Sequence, residues 1–246
     1  MRERQGTANA HRTVVHQRAP AHPAGASRLG DLVSAGTFIT LAGPGAADTR
    51  IKASTFHALA VPVESDGEAR AVVAARAREM FDAAHHCSAW RLRDGTGRAN
   101  DAGEPSGSAG APILSAIDGA GVTDCCVVVT RYFGGTKLGV GGLVRAYGEA
   151  AALALEAAPR RAGVRAVKLR VRYPYEHTAA VMRVLERSGA DRVEHGFADG
   201  GSLGEVEFAV AAGEEEAVRE WLRDDTAGSV APERTGEVVL YRNEIG

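Results

Sequence analysis

The chain has 246 residues, 45% of them apolar, and its 29 basic and 31 acidic side chains leave a formal charge of −2. That length fits one or two domains with a core of ordinary size, no stretch approaches the roughly 20 apolar residues of a membrane-spanning helix, and the even charge excludes nucleic-acid binding through a global positive field, so that any such binding needs a local patch. Three cysteines, two of them adjacent at Cys125 and Cys126, cannot build a disulfide framework, and a reducing cytoplasm is the expected setting.

Residues 1–35 mix Ala, Pro, His and Arg with few large apolar side chains and read as a disordered tail without a secretory signal. Phe38–Ala42 and Ile51–Val63 are extended segments separated by the turn-rich GPGAAD, the pattern of a hairpin. Ser65 precedes Glu68 by three residues, a capping-box signature. Beyond it Ala69, Val72, Val73, Ala77, Met80 and Phe81 recur at helical spacing, predicting an amphipathic helix. Cys87–Leu92 reads as a short strand and Asp94–Gly110 as a loop. Pro112 suits the first turn of a short helix through Ile117. Cys125–Tyr132 is apolar on both faces, as a central strand should be, and Leu143–Ala157 is an Ala-rich helix ending near Pro159.

The register then changes. Val164–Tyr173 alternates as a strand, His177–Ser188 is a helix with Val181, Val184 and Leu185 inward, and Arg192–Phe197 and Glu205–Ala211 are strands. Glu214–Arg223 is a helix with Ala217, Val218, Trp221 and Leu222 inward, and Glu237–Tyr241 is a final strand. The order βαββαβ predicts a ferredoxin-like arrangement. The expected organisation is therefore a tail over 1–35, an α+β domain over 36–159 and a second α+β domain over 160–246, with the boundary in the polar run Pro159–Gly163.

The candidate chemistry concentrates in Asn100–Leu143. Two Gly-rich loops flank the strand Cys125–Tyr132. The first carries Asp101, Glu104, Ser106 and Ser108. The second contains Gly134, Gly135, Lys137, Gly139, Gly141 and Gly142 and runs into a helix. Backbone N–H groups at that helix start, with Lys137 and Arg131, suit a phosphate; the alternative is that the glycines serve a tight strand-to-helix crossover. The loop fits no nucleotide-binding fingerprint. Asp101 and Glu104 are spaced to converge on a cation or act as acid and base; the alternative is turn hydrogen bonding by Asp101 and an ion pair from Glu104 to Arg131. A nucleophile-elbow pattern fails at both serines. His85, His86 and Cys87, with Cys125 and Cys126, lack the paired spacing of a structural zinc site. His86 is expected at the mouth of the site and His57 in a purely structural role. No metal and no cofactor is expected. Arg160, Arg161, Arg165, Lys168, Arg170 and Arg172 form a basic cluster able to track a phosphate backbone, unless Glu205 and Glu207 on a neighbouring strand neutralise it.

Three blocks carry a family resemblance. RYFGGTKLGVGGLVRAYG (Arg131–Gly148) resembles the signature of the IMPACT/YigZ family, AHHCSAWRL (Ala84–Leu92) its histidine-containing strand, and AGEPSGSAG (Ala102–Gly110) its acidic-glycine loop. Residues 160–246 resemble the small second domain of bacterial YigZ-type members. The family loop usually opens with two aspartates, whereas this chain has Asp101-Ala102. The resemblance implies a first domain similar to the second domain of a small-subunit ribosomal protein, a second domain similar to the ferredoxin-like domains of elongation factors, and a cytoplasmic setting. Eukaryotic relatives regulate translation by competing for an activator of the kinase that senses uncharged tRNA.

The residues thus argue more for a binding protein than for an enzyme. Its expected partners are RNA, the ribosome or a translation factor, and not a membrane, with Asp101, Glu104, Ser106, Arg131, Gly134, Gly135, Lys137, Gly139 and His86 forming the contact site. An enzyme acting on a phosphorylated or nucleotide-like small molecule, and a protein-binding adaptor, are the alternatives.

Overall fold

The structure is a computed structural model that describes residues 36–245, so the expected tail lies outside the described residues. The fold is mixed α+β, with two antiparallel sheets and their helices. The chain divides into two compact units, Thr37–Gly163 together with the last residues from Tyr241, and Val164–Leu240.

The first unit contains β1 (Thr37–Leu41), β2 (Gly45–Ile51), β3 (Ser54–Pro62), α1 (Asp66–Glu79), β4 (His85–Arg91), β5 (Gly97–Asn100), α2 (Gly110–Gly119), β6 (Cys125–Tyr132) and α3 (Val140–Ala157). Its sheet has the order β2-β3-β6-β4-β5. The apolar run Cys125–Tyr132 occupies the centre and is buried from Cys125 to Arg131, as a strand covered on both faces requires. Alternation then sorts its side chains. Cys125, Val127 and Val129 pack with Phe56, Ile113 and Tyr147 on the face covered by α2 and α3. Cys126 and Val128 pack with Val63, Trp90 and Ala69 of α1 on the other.

Two sequence expectations are corrected here. The hairpin pairs β2 with β3 across Lys52 and Ala53, from Gly45↔Ala60 to Ile51↔Ser54, so the segment read as a turn is mostly strand. β1 instead pairs with a later strand, and the Ala42 N–H just beyond it donates to the Pro159 carbonyl (2.7 Å). A turn-rich composition concealed β2 because its first two inward positions, Gly45 and Ala47, are filled by small residues: Gly45 sits so close to α3 that an added Cβ would lie 2.3 Å from the Ala154 carbonyl oxygen. The helix α1 is capped as expected, with Ser65 Oγ accepting from the Glu68 N–H (3.2 Å), but it buries only Ala69 fully. It ends at Glu79, which leaves Phe81 beyond the helix and 83% exposed.

The remaining elements are β7 (Arg160–Tyr173), α4 (Thr178–Arg187), β8 (Asp191–Ala198), β9 (Leu203–Ala211), α5 (Glu215–Asp225) and β10 (Pro232–Ile245). In the second unit β9 lies between β7 and β8, and β10 pairs with β7. The inward residues Val167, Leu169 and Val171 meet Val181 and Val184 of α4 and Leu222 of α5 in one core. The strand β7 begins at Arg160, before the division at Gly163 and Val164. At Gly163 an added Cβ would lie 2.4 Å from the Phe38 ring.

Candidate functional site

Strand register gathers the candidate residues of the first unit at one end of its sheet. Thr55 pairs with Tyr132 and His85 with Arg131, which places the β2–β3 turn, the start of β4 and the end of β6 side by side. Arg131 lies on the α2/α3 face of β6. Its Nη1 donates to Glu104 Oε1 (2.6 Å) and its Nη2 to Ser54 Oγ (3.2 Å). The Tyr147 hydroxyl of α3 donates to the same Glu104 oxygen (2.9 Å). The Arg131 and Glu104 side chains are only 5% and 4% exposed, so this is an interior ion pair. The guanidinium also lies 5.5 Å from the Phe56 ring centre and 5.4 Å from that of Phe133. Both charges that looked available to a ligand are therefore committed to each other.

Asp101 is equally engaged. Its Oδ1 accepts from the N–H groups of Ala109 (2.9 Å) and Gly110 (2.8 Å), and its Oδ2 from Gly107 (2.8 Å). These include the first donors of α2, whose N-cap, Ala109, supplies no side-chain acceptor; Asp101 performs that service from across the loop. Burial raises its pKa, but the three donors outweigh burial and hold it below the ordinary value of 3.8. Ala102 has φ 44°, and its N–H donates to Asn100 Oδ1 (2.9 Å) while its carbonyl faces His85 Nδ1 (2.9 Å). A carbonyl only accepts, so that nitrogen carries the proton.

The pleat also corrects the histidine assignment. His86 points to the α1 face, with Nδ1 3.1 Å from Thr130 Oγ1, and its pKa is lowered by burial and then by Arg76 and His85. It is His85 that reaches toward Glu104, with Nε2 3.8 Å from Oε1. Adjacent strand residues face opposite ways, and only the register with Arg131 settles which one joins the site. His57 is not isolated either: its Nδ1 lies 2.7 Å from Asp48 Oδ1. Ser106 is exposed, whereas Ser108 is buried and donates to the Pro105 carbonyl (2.6 Å). Burial pushes the Cys87 thiol up to about 12 and does the same to Cys125 and Cys126, which makes all three poor nucleophiles at neutral pH. Among the described residues no group of three or more His, Cys, Asp or Glu is placed to hold a metal ion.

What remains open to solvent is the second glycine loop. Phe133–Lys137 are exposed, and Lys52 Nζ approaches the Lys137 carbonyl at 3.5 Å. The helix α3 begins at Val140, inside the Gly-rich run, with Gly139 as N-cap at φ 73° and with no side-chain cap and no acidic residue in the first turn. At Gly134 the demand is steric: an added Cβ would lie 1.8 Å from the Ala53 carbonyl oxygen. Gly134→Ala should therefore destabilise the first unit by about 1–3 kcal/mol through forced backbone displacement. The check is the urea midpoint at unchanged slope, and an unchanged midpoint would show that the loop is not packed against Ala53.

Two members of the basic cluster of β7, Arg170 and Arg172, are neutralised by ion pairs. Arg170 pairs with Glu207, and Arg172 Nε donates to Glu205 (2.7 Å), each across its β9 register partner. In the first unit Arg161 lies 3.5 Å over the Tyr241 ring, and Arg160 donates to the Ala120 carbonyl (3.4 Å). Sequence reasoning missed Ser54, Tyr147 and Lys52 as neighbours of the loops, because only β-pairing and the packing of α3 bring them there.

The comparisons with known proteins bear on the same residues. The Impact N-terminal domain model matches residues 52–155. An IMPACT family member from Thermus thermophilus is 43% identical over 135 residues, which cover 55% of this chain and 73% of the relative. A member from Haemophilus influenzae is 34% identical over 154 residues, covering 61% and 75%. YvyE of Bacillus subtilis is 40% identical over 115 residues, or 46% of this chain and 53% of its own length, so the matched stretch spans about half of that relative. A solved structure described as a hypothetical protein superposes with a TM-score of 0.59 at 27% identity, covering 80% of this chain and 96% of the other.

Proposed function

The chain belongs to the IMPACT family, and from that premise we propose that it is a non-enzymatic, translation-associated cytoplasmic protein that binds RNA, free or within the ribosome, through its second glycine loop. The observation that carries this reading is the contrast between the two loops. The acidic one is closed by internal bonds at Asp101 and Glu104, while the glycine loop keeps Lys137 exposed and Lys52 alongside it. The sequence from Tyr132 to Gly148 contains no Asp or Glu, so nothing within it opposes a phosphate. The family resemblance likens the first unit to the second domain of a small-subunit ribosomal protein. The element order β7-α4-β8-β9-α5-β10 supports a ferredoxin-like second unit. No helix among the described residues is long and apolar enough to cross a membrane.

The reading is narrower than the residue set expected from sequence. Arg131 and Glu104 hold the loop in place, and Lys137 meets the phosphate. Lys137→Ala should cost roughly 1.5–3 kcal/mol of RNA affinity as one charge-assisted contact, hence about tenfold or more. It should also lower the slope of log affinity against log salt by about one. Fluorescence anisotropy of labelled RNA at two or more salt concentrations measures both, and an unchanged salt slope would remove the lysine from the interface.

A further inference from the structure

Resting on the RNA reading above, we infer that the Phe133 ring is a stacking platform for an unpaired base, so that the ligand of this loop is single-stranded RNA and not duplex. Phe133 follows β6 directly and is 50% exposed, less than Phe81 or Phe197, so exposure alone does not distinguish it. The ring is, however, held. The Arg131 guanidinium lies 5.4 Å from its centre and is itself fixed by Glu104 and Ser54 and by the Phe56 ring on its other contact (5.5 Å). The ring is thus braced by a buried cation while half of its surface stays open, and Arg131 acts as a positioning residue.

The charge around the ring selects the occupant. Lys137 is four residues away, Lys52 lies against the same loop, and both are exposed. Arg145 on α3 is exposed as well, and Glu104, the acidic group bonded to Arg131, is neutralised by it. An aromatic face beside cations matches the two chemical parts of a nucleotide, the base and the phosphate. A base inside a duplex has both faces covered by its neighbours, so an exposed ring would add nothing to duplex binding. Phosphate-only recognition would explain the lysines and leave the ring without a role.

The test measures the full chain against a short labelled oligouridine strand and a short RNA duplex at one fixed low salt concentration. Stacking of one base supports an expected loss of about tenfold in single-strand affinity for Phe133→Ala, with duplex affinity unchanged. Phe133→Trp should keep single-strand affinity, because it retains a π-face. Phe133→Leu, which keeps apolar bulk without that face, should lose as much as alanine does, and it decides the matter if the alanine variant fails to melt like the wild type. Wild-type single-strand affinity in Phe133→Leu, or an equal loss on strand and duplex, overturns the stacking platform. If Lys137→Ala still weakens binding in that case, the RNA reading stands alone. Failure of the unaltered chain to bind either RNA overturns both.

Discussion

Glu104→Ala should lower the unfolding free energy of the first unit by about 3–5 kcal/mol, the cost of leaving one member of a buried ion pair without its partner. Glu104 is 4% and Arg131 5% exposed, so water cannot replace the lost carboxylate without opening the loop. The substitution also removes the acceptor of the Tyr147 hydroxyl, whose ionisation burial already disfavours. The effect should partition unevenly. Arg131→Met with Glu104→Gln keeps an oxygen for Tyr147 and removes both charges, and it should recover a large part of the loss. The Arg131 Nε is buried without a hydrogen-bond partner, so the native pair carries a desolvation cost that the apolar replacement avoids. The two tryptophans make the measurement clean. Trp90 belongs to the first unit and Trp221 to the second. In a Trp221→Phe background, urea unfolding followed by tryptophan fluorescence reports the unit that holds the site. A Glu104→Ala curve that overlays the wild type would mean that the pair is loosely held, and Arg131 would then return as a ligand-binding cation.

Much of this was legible in the sequence where periodicity and local chemistry decide the outcome. The central strand Cys125–Tyr132 matches its predicted bounds, because eight residues able to be buried on both faces leave no alternative. The Ser65 cap and the inward faces of α4 and α5 followed from spacing alone. The elements that were missed are those fixed by distant partners. β2 and β5 consist of residues with no strand-like pattern, GAADTRI and GRAN, and they exist because β3 and β4 offer edges to pair with. The choice between His85 and His86 has the same origin. A sequence shows that the two point opposite ways, and a register shows which way. The pairing of Arg131 with Glu104 was one of two readings open from the sequence. Only the burial of both decides that these charges serve the loop's structure while Lys137 faces the solvent.

Asp101→Ala should destabilise the first unit by roughly 3 kcal/mol, since the N–H groups of Ala109 and Gly110 are buried and each donor left unpaired costs about 1–3 kcal/mol. The Gly107 N–H lies on an exposed residue, so water can replace the carboxylate there. Asp101→Asn separates geometry from charge. Its amide oxygen can still accept from Ala109 and Gly110, while the amide nitrogen would confront the Gly107 N–H, and the loss should fall below that of alanine. The pH dependence gives a second signature. The Asp101 pKa is depressed in the folded chain because its three backbone donors outweigh burial. Its contribution is therefore fully present above the unfolded value of 3.8 and is lost as pH falls through the lower folded value. Stability of the wild type relative to Asp101→Asn, followed through Trp90 in the Trp221→Phe background, should thus be greatest near neutral pH and shrink as the solution is acidified below about 4. A difference that stays constant from neutral pH to well below that range would show that the ionised carboxylate does not hold the start of α2, and that the loop between β5 and α2 is ordered by its turns alone.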